Sequence, residues 1–425
     1  ATLFDHYTAR FGEMPWIAIA APPEDRRTME AALAVASARK GTLLRIGPKA
    51  MLEPIRPADL LARPERRLDM APVAELVSGA RVFITGGGGT IGGELARQCA
   101  ALGPAELTIY DSSEFNVFEI DQELSRAYPN VVRRMVIGDV RDEIRLEQSM
   151  REAAPDLVIH AAALKHVPLM ELNPNEAILT NVLGARRCAT IAATLGVKAF
   201  TFISTDKAVN PTNVMGATKR AAELFIQAFA PTAPGTRFSL VRFGNVLGSK
   251  GSVAPLFEKQ IADGGPVTVT HPDMTRYFMS VEEASALVLQ ASALSAKSDV
   301  EEAALYVLDM GEPVRVIELA EKMIRMKGLT PGQDILIRVT GPRPGEKLTE
   351  TVFYDREQVK DTAIDGVLAV AWSRSPPIAE VQARLDAIVS YAARRDPLAS
   401  LSMMKALAPE IFAGEPWGEP AMNVH

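Results

Sequence analysis

Asp206 and Lys207 stand side by side, preceded by Thr205 and followed by Met215 and Lys219. A carboxyl group next to an amine can supply both halves of general acid–base chemistry if its surroundings move the pKa values toward neutrality. Met215 and Lys219 are four residues apart and share a face if the segment is helical. A thioether has no proton to give or take at neutral pH, so a base built here must come from Thr205, Asp206 or Lys207. The same residues also fit a plainer reading, a polar strand end and turn followed by a solvated helix lysine.

A second cluster lies upstream. Thr85-Gly86-Gly87-Gly88-Gly89-Thr90-Ile91-Gly92 follows the apolar run VFIT, 82–85, and opens a segment with Ile91, Leu95, Cys99 and Leu102 on one helical face. Gly86, Gly89 and Gly92 have the spacing G-x-x-G-x-x-G: the first permits the turn, the second lets the backbone approach a pyrophosphate, and the third allows close helix–strand packing. Phosphates would rest at the helix N-terminus, where free amides and the helix dipole favour an anion. Asp111 ends the next apolar run, 19 residues beyond Gly92, where a carboxylate can accept from a ribose 2′-hydroxyl. Ser112, Ser113, Glu114 and Phe115 supply no cation for a 2′-phosphate, so NAD is expected rather than NADP. Asp139, in Gly138-Asp139-Val140, fits either an acceptor for the adenine amino group or an N-cap for the helix beginning near Arg141. At a nicotinamide site a tyrosine four residues ahead of the helical lysine normally takes the proton of the substrate hydroxyl. Met215 occupies that place, leaving Lys219 to hold the nicotinamide ribose.

These residues need a frame. Apolar runs at 82–85, 107–110, 134–137, 157–160, 199–204 and 238–243 alternate with helical segments, the pattern of a parallel sheet covered on both faces. The expected class is α/β, a doubly wound parallel sheet of Rossmann type. Residues 1–67 read as an N-terminal α/β fragment and linker, with strands at 16–20 and 42–46 around a helix at 24–40 and a Pro- and Arg-rich connection at 54–67. A short helix, 68–78, leads into the dinucleotide-binding domain, 68–243. Residues 244–375 are expected to form a smaller mixed α/β substrate-binding region, partly interleaved with the sheet and capping its carboxyl ends. Residues 376–425 form a helical extension whose amphipathic segment, 378–393, suits packing or contact between copies.

The chain of 425 residues carries 46 basic and 52 acidic side chains, a formal charge of −6, which argues against a nucleic-acid surface. Cys99 and Cys188 lie in helical contexts, which suits a reducing cytoplasm, and His6, His160, His166, His271 and His425 show no paired metal spacing, so no metal is expected. No apolar run reaches the roughly 20 residues that span a bilayer, and there is no signal peptide. The chain begins at Ala1 rather than a methionine, which leaves room for an anchoring segment outside it.

STDKAVNPTNVMGATK at 204–219, TGGGGTIG at 85–92, HAAALKHVPLMELNP at 160–174, RFGNVLGSKGSV at 242–253 and GPRPGEK at 341–347 resemble the extended short-chain dehydrogenase/reductases that act as UDP-N-acetylglucosamine 4,6-dehydratases in polysaccharide biosynthesis. The resemblance covers about 68–357, and methionine in the tyrosine position resembles the branch that retains configuration at C5. It implies oxidation of the C4 hydroxyl with NAD, removal of the C5 proton by Lys207, donation by Asp206 to the departing C6 hydroxyl, and reduction at C6. Thr205 and Lys219 would manage the C4 proton. The cofactor would also meet Thr90, Ile91, Val140, Ala161 and Ala163. Lys165 and His166 would line the sugar pocket, and Asn181 is either a substrate contact or a structural helix residue. Asn245, Ser252, Arg276, Arg343 and Glu346 resemble contacts to the nucleotide diphosphate, for which the planar guanidinium donors are suited. Family members often carry N-terminal membrane helices, so a longer form would be held at the cytoplasmic face of the inner membrane, and assembly as a homo-oligomer is expected.

Two other functions compete. A UDP-sugar 4-epimerase shares the oxidation at C4 but needs neither a C5 base nor a C6 acid, so the Asp206-Lys207 pair argues against it. A non-catalytic NAD-binding regulator would explain the missing tyrosine but not the rest of the motif set.

Overall fold

A computed structural model describes residues 16–19, 26–46, 51–61, 66, 68–371, 377–408 and 410–412. The expected strand end at Ala20, the helix start at 24–25, part of the 54–67 connection, His6 and His425 lie outside the described residues.

The strands of the main sheet are β1 (Arg81–Thr85), β2 (Glu106–Asp111), β3 (Arg133–Ile137), β4 (Leu157–His160), β5 (Ala199–Ile203), β6 (Arg237–Arg242), β7 (Ala304–Leu308), β8 (Gln358–Asp361) and β9 (Val367–Ala371). They lie in the order β8-β9-β7-β6-β5-β4-β1-β2-β3. All neighbours are parallel except β9, which runs antiparallel to both β7 and β8. Every residue of β4 and β5 is buried, as a parallel strand covered on both faces requires. The principal helices of this unit are α1 (Thr90–Ala101), α2 (Glu114–Ala127), α3 (Glu143–Ala153), α4 (Gly184–Thr194), α5 (Val214–Phe229), α6 (Val281–Ala296), α7 (Ile378–Ala393) and α8 (Pro397–Leu407). α1 packs on α6 and α2 on one face, while α3, α4, α5 and α7 pack in succession on the other. The chain runs outward from β1 through β2 to β3, then crosses back to place β4 on the other side of β1. Ligands of doubly wound sheets bind in the crevice at the carboxyl ends of the strands flanking such a reversal. The glycine turn follows β1 and the loop 161–166 follows β4, so both lie at that crevice.

The chain divides into two compact units, one of Ala1–Arg67, Asn245–Ser280 and Gly311–Pro342, the other of Leu68–Gly244, Val281–Met310 and Arg343–His425. The N-terminal fragment therefore does not stand apart. Its strand Trp16–Ile19 pairs with Thr42–Ile46, and Ile17, Leu33 and Leu43 share a core with Phe257, Val267, Met323 and Ile335 from the two later segments. The 244–375 stretch is likewise shared between the units. β7 is an apolar strand that pairs parallel to β6, and this draws 281–310 and 343–371 into the large sheet. α7 has the expected bounds and buries Val381, Leu385, Ile388 and Ala392 in the main core, so its apolar face packs within the chain.

Candidate active site

The glycine turn is shaped by what glycine alone allows. Gly86 has φ of +65°, and a Cβ there would lie 2.6 Å from the Ala162 backbone, while one on Gly92 would lie 2.1 Å from the Gly86 carbonyl oxygen. β1, the loop after β4 and α1 thus converge at van der Waals distance, with Thr90 and Ile91 opening α1. Gly89 caps α1 without any side-chain bond, so the first amides of α1 have no side-chain cap competing with an anion. Asp111 accepts from Gly88 N at 3.1 Å and Ser113 N at 2.9 Å, which holds the acid against the turn. This cradle fits a dinucleotide.

Just beyond the end of β3, Asp139 is not the N-cap of α3. Its carboxylate accepts from Arg141 N and Arg141 Nε, each at 2.8 Å, and the N-cap of α3 is Asp142, whose Oδ1 accepts from Arg145 N at 3.0 Å. Burial raises the Asp139 carboxyl, but the Arg141 bonds more than offset it and hold the group below the usual carboxylate range. Val140 is buried beneath Gly184, where a Cβ would lie 2.6 Å from Val140 Cγ2. Ala161 and Ala163 are half-buried in the loop after β4, while Lys165 and His166 are exposed.

β5 delivers the cluster of Thr205, Asp206 and Lys207. Beyond Ile203, residues Asp206–Ala208 form a single 3₁₀ turn capped by Thr205. Asp206 is 0% exposed, and its Oδ1 accepts from Thr205 Oγ1 and Lys207 Nζ, each at 2.9 Å. Its Oδ2 is buried with no hydrogen-bond partner among the described residues. α5 abuts this turn so closely that a Cβ on Gly216 would lie 2.1 Å from the Lys207 carbonyl oxygen. Asn213 caps α5, accepting from Gly216 N at 2.7 Å, and its Nδ2 donates to Gly345 O at 3.1 Å. The RPGEK loop is thereby docked beside the cluster. Within it Arg343 is exposed, and Glu346 is used locally, its Oε2 accepting from Arg343 N at 3.1 Å.

On α5, Met215 is buried in the main core. Lys219 Nζ donates to Ile203 O at 2.8 Å and lies 4.5 Å from the centre of the Phe202 ring. Burial pushes its pKa down to about 7, with Glu223 opposing. Asn181 belongs to the structural alternative. It sits in a π-helical segment, Ile178–Leu183, accepts from Leu164 N at 2.8 Å and donates to Leu164 O at 3.0 Å and Thr218 Oγ1 at 2.9 Å. Its amide ties the loop after β4 to α5. Asn245, Ser252 and Arg276 fall in the smaller unit; Arg276 is buried and donates to Thr275 O at 2.7 Å.

Several residues escaped sequence reasoning. Arg242, 0% exposed, forms a fork on Glu223 with two 2.7 Å bonds and reaches Glu357 at 3.0 Å. Ser204, directly before the cluster, donates to Glu223 Oε1 at 2.7 Å. Tyr354 donates to Ala208 O at 2.9 Å. Glu350 and Lys347 lie against Lys207 and Val209. Only Glu223 left a readable signal, four residues beyond Lys219 on the same helical face.

His160 is buried, its Nδ1 2.8 Å from Thr85 Oγ1 and its ring stacked on Phe200 and Phe202. Burial, assisted by Lys219, pushes its pKa down from 6.5 to about 3. Below pH 6.5 the unfolded chain takes a proton that the fold refuses. The stability this group contributes is therefore complete above that pH and is lost toward pH 3, at up to about 1.4 kcal/mol per pH unit. His160→Asn, which can keep the Thr85 bond, is expected to flatten the fall in stability between pH 7 and 5 in urea melts. Equal slopes for the two proteins would remove His160 as the cause.

Among the described residues no helix is long and apolar enough to cross a membrane, and no three His, Cys, Asp or Glu side chains group to hold a metal ion. A family model described as polysaccharide biosynthesis protein matches residues 82–371. The capsular polysaccharide biosynthesis protein CapD of Staphylococcus aureus is 48% identical over 307 residues, which cover 72% of this chain and 50% of that protein. An inverting UDP-N-acetylglucosamine 4,6-dehydratase of Campylobacter jejuni is 41% identical over 50% of this chain and 64% of its own length. A UDP-glucose 4-epimerase of Rickettsia conorii is 36% identical over 66% of this chain and 79% of its own length. The solved structure of Pen from Bacillus thuringiensis aligns with a TM-score of 0.63 at 34% identity, covering 69% of this chain and 89% of that one. The chain spans about half the length of the curated relatives CapD of Staphylococcus aureus and EpsC of Bacillus subtilis.

Proposed function

Because the chain belongs to the polysaccharide biosynthesis protein family, we propose that it is an NAD-dependent enzyme that dehydrates UDP-N-acetylglucosamine across C5 and C6, retaining configuration at C5, for polysaccharide synthesis. The glycine turn and Asp111 would hold the dinucleotide. When bound, NAD supplies the oxidation at C4 and the matching reduction at C6.

The 2.9 Å contact between Lys207 Nζ and the wholly buried Asp206 carboxylate carries this reading. Passing the shared proton from Lys207 to Asp206 leaves net charge unchanged and yields a free amine and a neutral acid together. The amine can take the C5 proton once C4 is a carbonyl, leaving the C5–H electrons in the enolate. The acid can then protonate the C6 hydroxyl as it departs as water, and once C6 is reduced the lysinium of Lys207 returns a proton to C5 on the face from which it was taken. At C4 the hydroxyl proton falls to Thr205 and to Lys219, whose pKa near 7 lets it exist as a free amine at neutral pH. Arg343 is assigned to the diphosphate. Retention rests on Met215 in the tyrosine position, although the dehydratase relative is named as inverting.

The epimerase reading draws support from the Rickettsia relative, of which the match covers 79%. Incubation with UDP-N-acetylglucosamine in deuterated water, read by mass spectrometry and proton NMR, separates the two. Loss of one water with one deuterium at C5 and unchanged configuration is expected. A product of unchanged elemental composition makes the chain an epimerase, and an inverted C5 refutes retention alone.

A further inference from the structure

We propose that Glu350 is a positioning residue for the base: a second buried carboxylate that stabilises the lysinium ion formed when Lys207 takes the C5 proton. The inference rests on the dehydratase reading above.

Glu350 is 3% exposed, with Oε1 3.7 Å from Lys207 Nζ and Oε2 3.7 Å from Lys347 Nζ. Its Oε2 has no hydrogen-bond partner among the described residues. Lys347 is fixed by a 2.8 Å bond to Val209 O, and the loop before it by the Asn213 and Thr212 bonds to Gly345 O. The segment that carries Glu350 is therefore fixed by bonds that do not involve Lys207. Lys207 is faced by Asp206 from its own turn and by Glu350 and Lys347 from the RPGEK side. These four groups balance in charge when all are ionised.

Two carboxylates are more than an acid–base pair needs. If Asp206 alone faced Lys207, protonating Asp206 for its work at C6 would leave the lysine without a counter-charge at the moment it gains a proton. Glu350 is close enough to supply that charge and too far for a direct hydrogen bond that would occupy the amine. Lys347 acts in the opposite sense, since a nearby cation disfavours the lysinium ion.

The two neighbours predict opposite shifts in the acidic limb of the kcat profile, where Lys207 must lose its proton to act. Glu350→Gln is expected to move that limb to lower pH by about one unit and to lower the plateau roughly tenfold, because a weaker base remains. Lys347→Gln is expected to move the limb to higher pH. KM stays within about twofold in both, and Glu350→Asp restores most of the wild-type profile. An unshifted limb in folded Glu350→Gln, or in Lys347→Gln should the first variant not fold, overturns the inference. If the unsubstituted chain releases no water from UDP-N-acetylglucosamine, the dehydratase reading fails, whatever the variants do.

Discussion

Replacing Lys207 with arginine is expected to lower turnover of UDP-N-acetylglucosamine by about 10²- to 10⁴-fold, the usual contribution of one positioned base, while the protein still folds and binds NAD. Arginine isolates the chemistry. Its guanidinium keeps the positive charge between Asp206 and Glu350, so neither buried carboxylate is stranded. With a pKa above about 12 it cannot give up its proton and serve as a base. Alanine at the same position would confuse two effects by removing the base and leaving two acids without their cation. Asp206→Asn complements the test, since an amide can accept from Thr205 Oγ1 but cannot protonate a leaving hydroxyl. Deuterium exchange at C5 should collapse in Lys207→Arg at every pH, whereas in Asp206→Asn, whose amide cannot take the proton of Lys207, it should return only as the pH is raised. Turnover within about tenfold of the unsubstituted chain in Lys207→Arg would take the base role away from Lys207.

Much of this frame is legible in the sequence because it depends on local pattern. β4 and β5 are largely apolar runs, broken only by His160 and Thr201, and a run of that length bounded by turn residues has few other uses in an α/β chain. The glycine turn is legible for a similar reason, since Gly86 and Gly92 mark places where no side chain fits. What stays hidden is pairing at long range. The smaller unit joins three separate segments, and its strand Val267–Val269 pairs with Ile337–Val339 across nearly seventy residues. β8, read as QVKD, is an edge strand with too little apolar character to declare itself. The site divides along the same line. Thr205, Asp206 and Lys207 are neighbours in sequence, and so visible. Glu350 reaches them only because the RPGEK loop folds onto the α5 cap, and Asn181 shows its purpose only when Leu164 and Thr218 flank its amide.

Arg242→Met is expected to cost about 3–5 kcal/mol of stability, because Glu357 would lose its buried cation and Glu223 would keep only Arg220. Arg242 and Glu223 are both 0% exposed, and the fork between them puts all the hydrogen-bonding capacity of one carboxylate edge into a single contact. Burial raises the Glu223 carboxyl, but Arg242 and Arg220 outweigh it and hold the group below its ordinary value. Lysine cannot reproduce the fork, so Arg242→Lys should lose nearly as much. Removing both charges together, in Arg242→Met with Glu223→Gln, should recover part of the loss, since a stranded charge is worse than an apolar or neutral replacement. A urea melt of the three variants measures this, and a loss below about 1 kcal/mol in Arg242→Met would mean that water reaches the network. The consequence reaches the chemistry through Ser204, whose hydroxyl donates to Glu223 one residue before Thr205, and through Tyr354, which holds the carbonyl of Ala208 just after Lys207. Tyr354 N in turn donates to Glu357 Oε2 at 2.8 Å, so both ends of the turn are fastened to the same buried ions. The double variant, even where it regains stability, should retain a lower turnover than the unsubstituted chain, because neutral glutamine holds Ser204 less tightly than a carboxylate does.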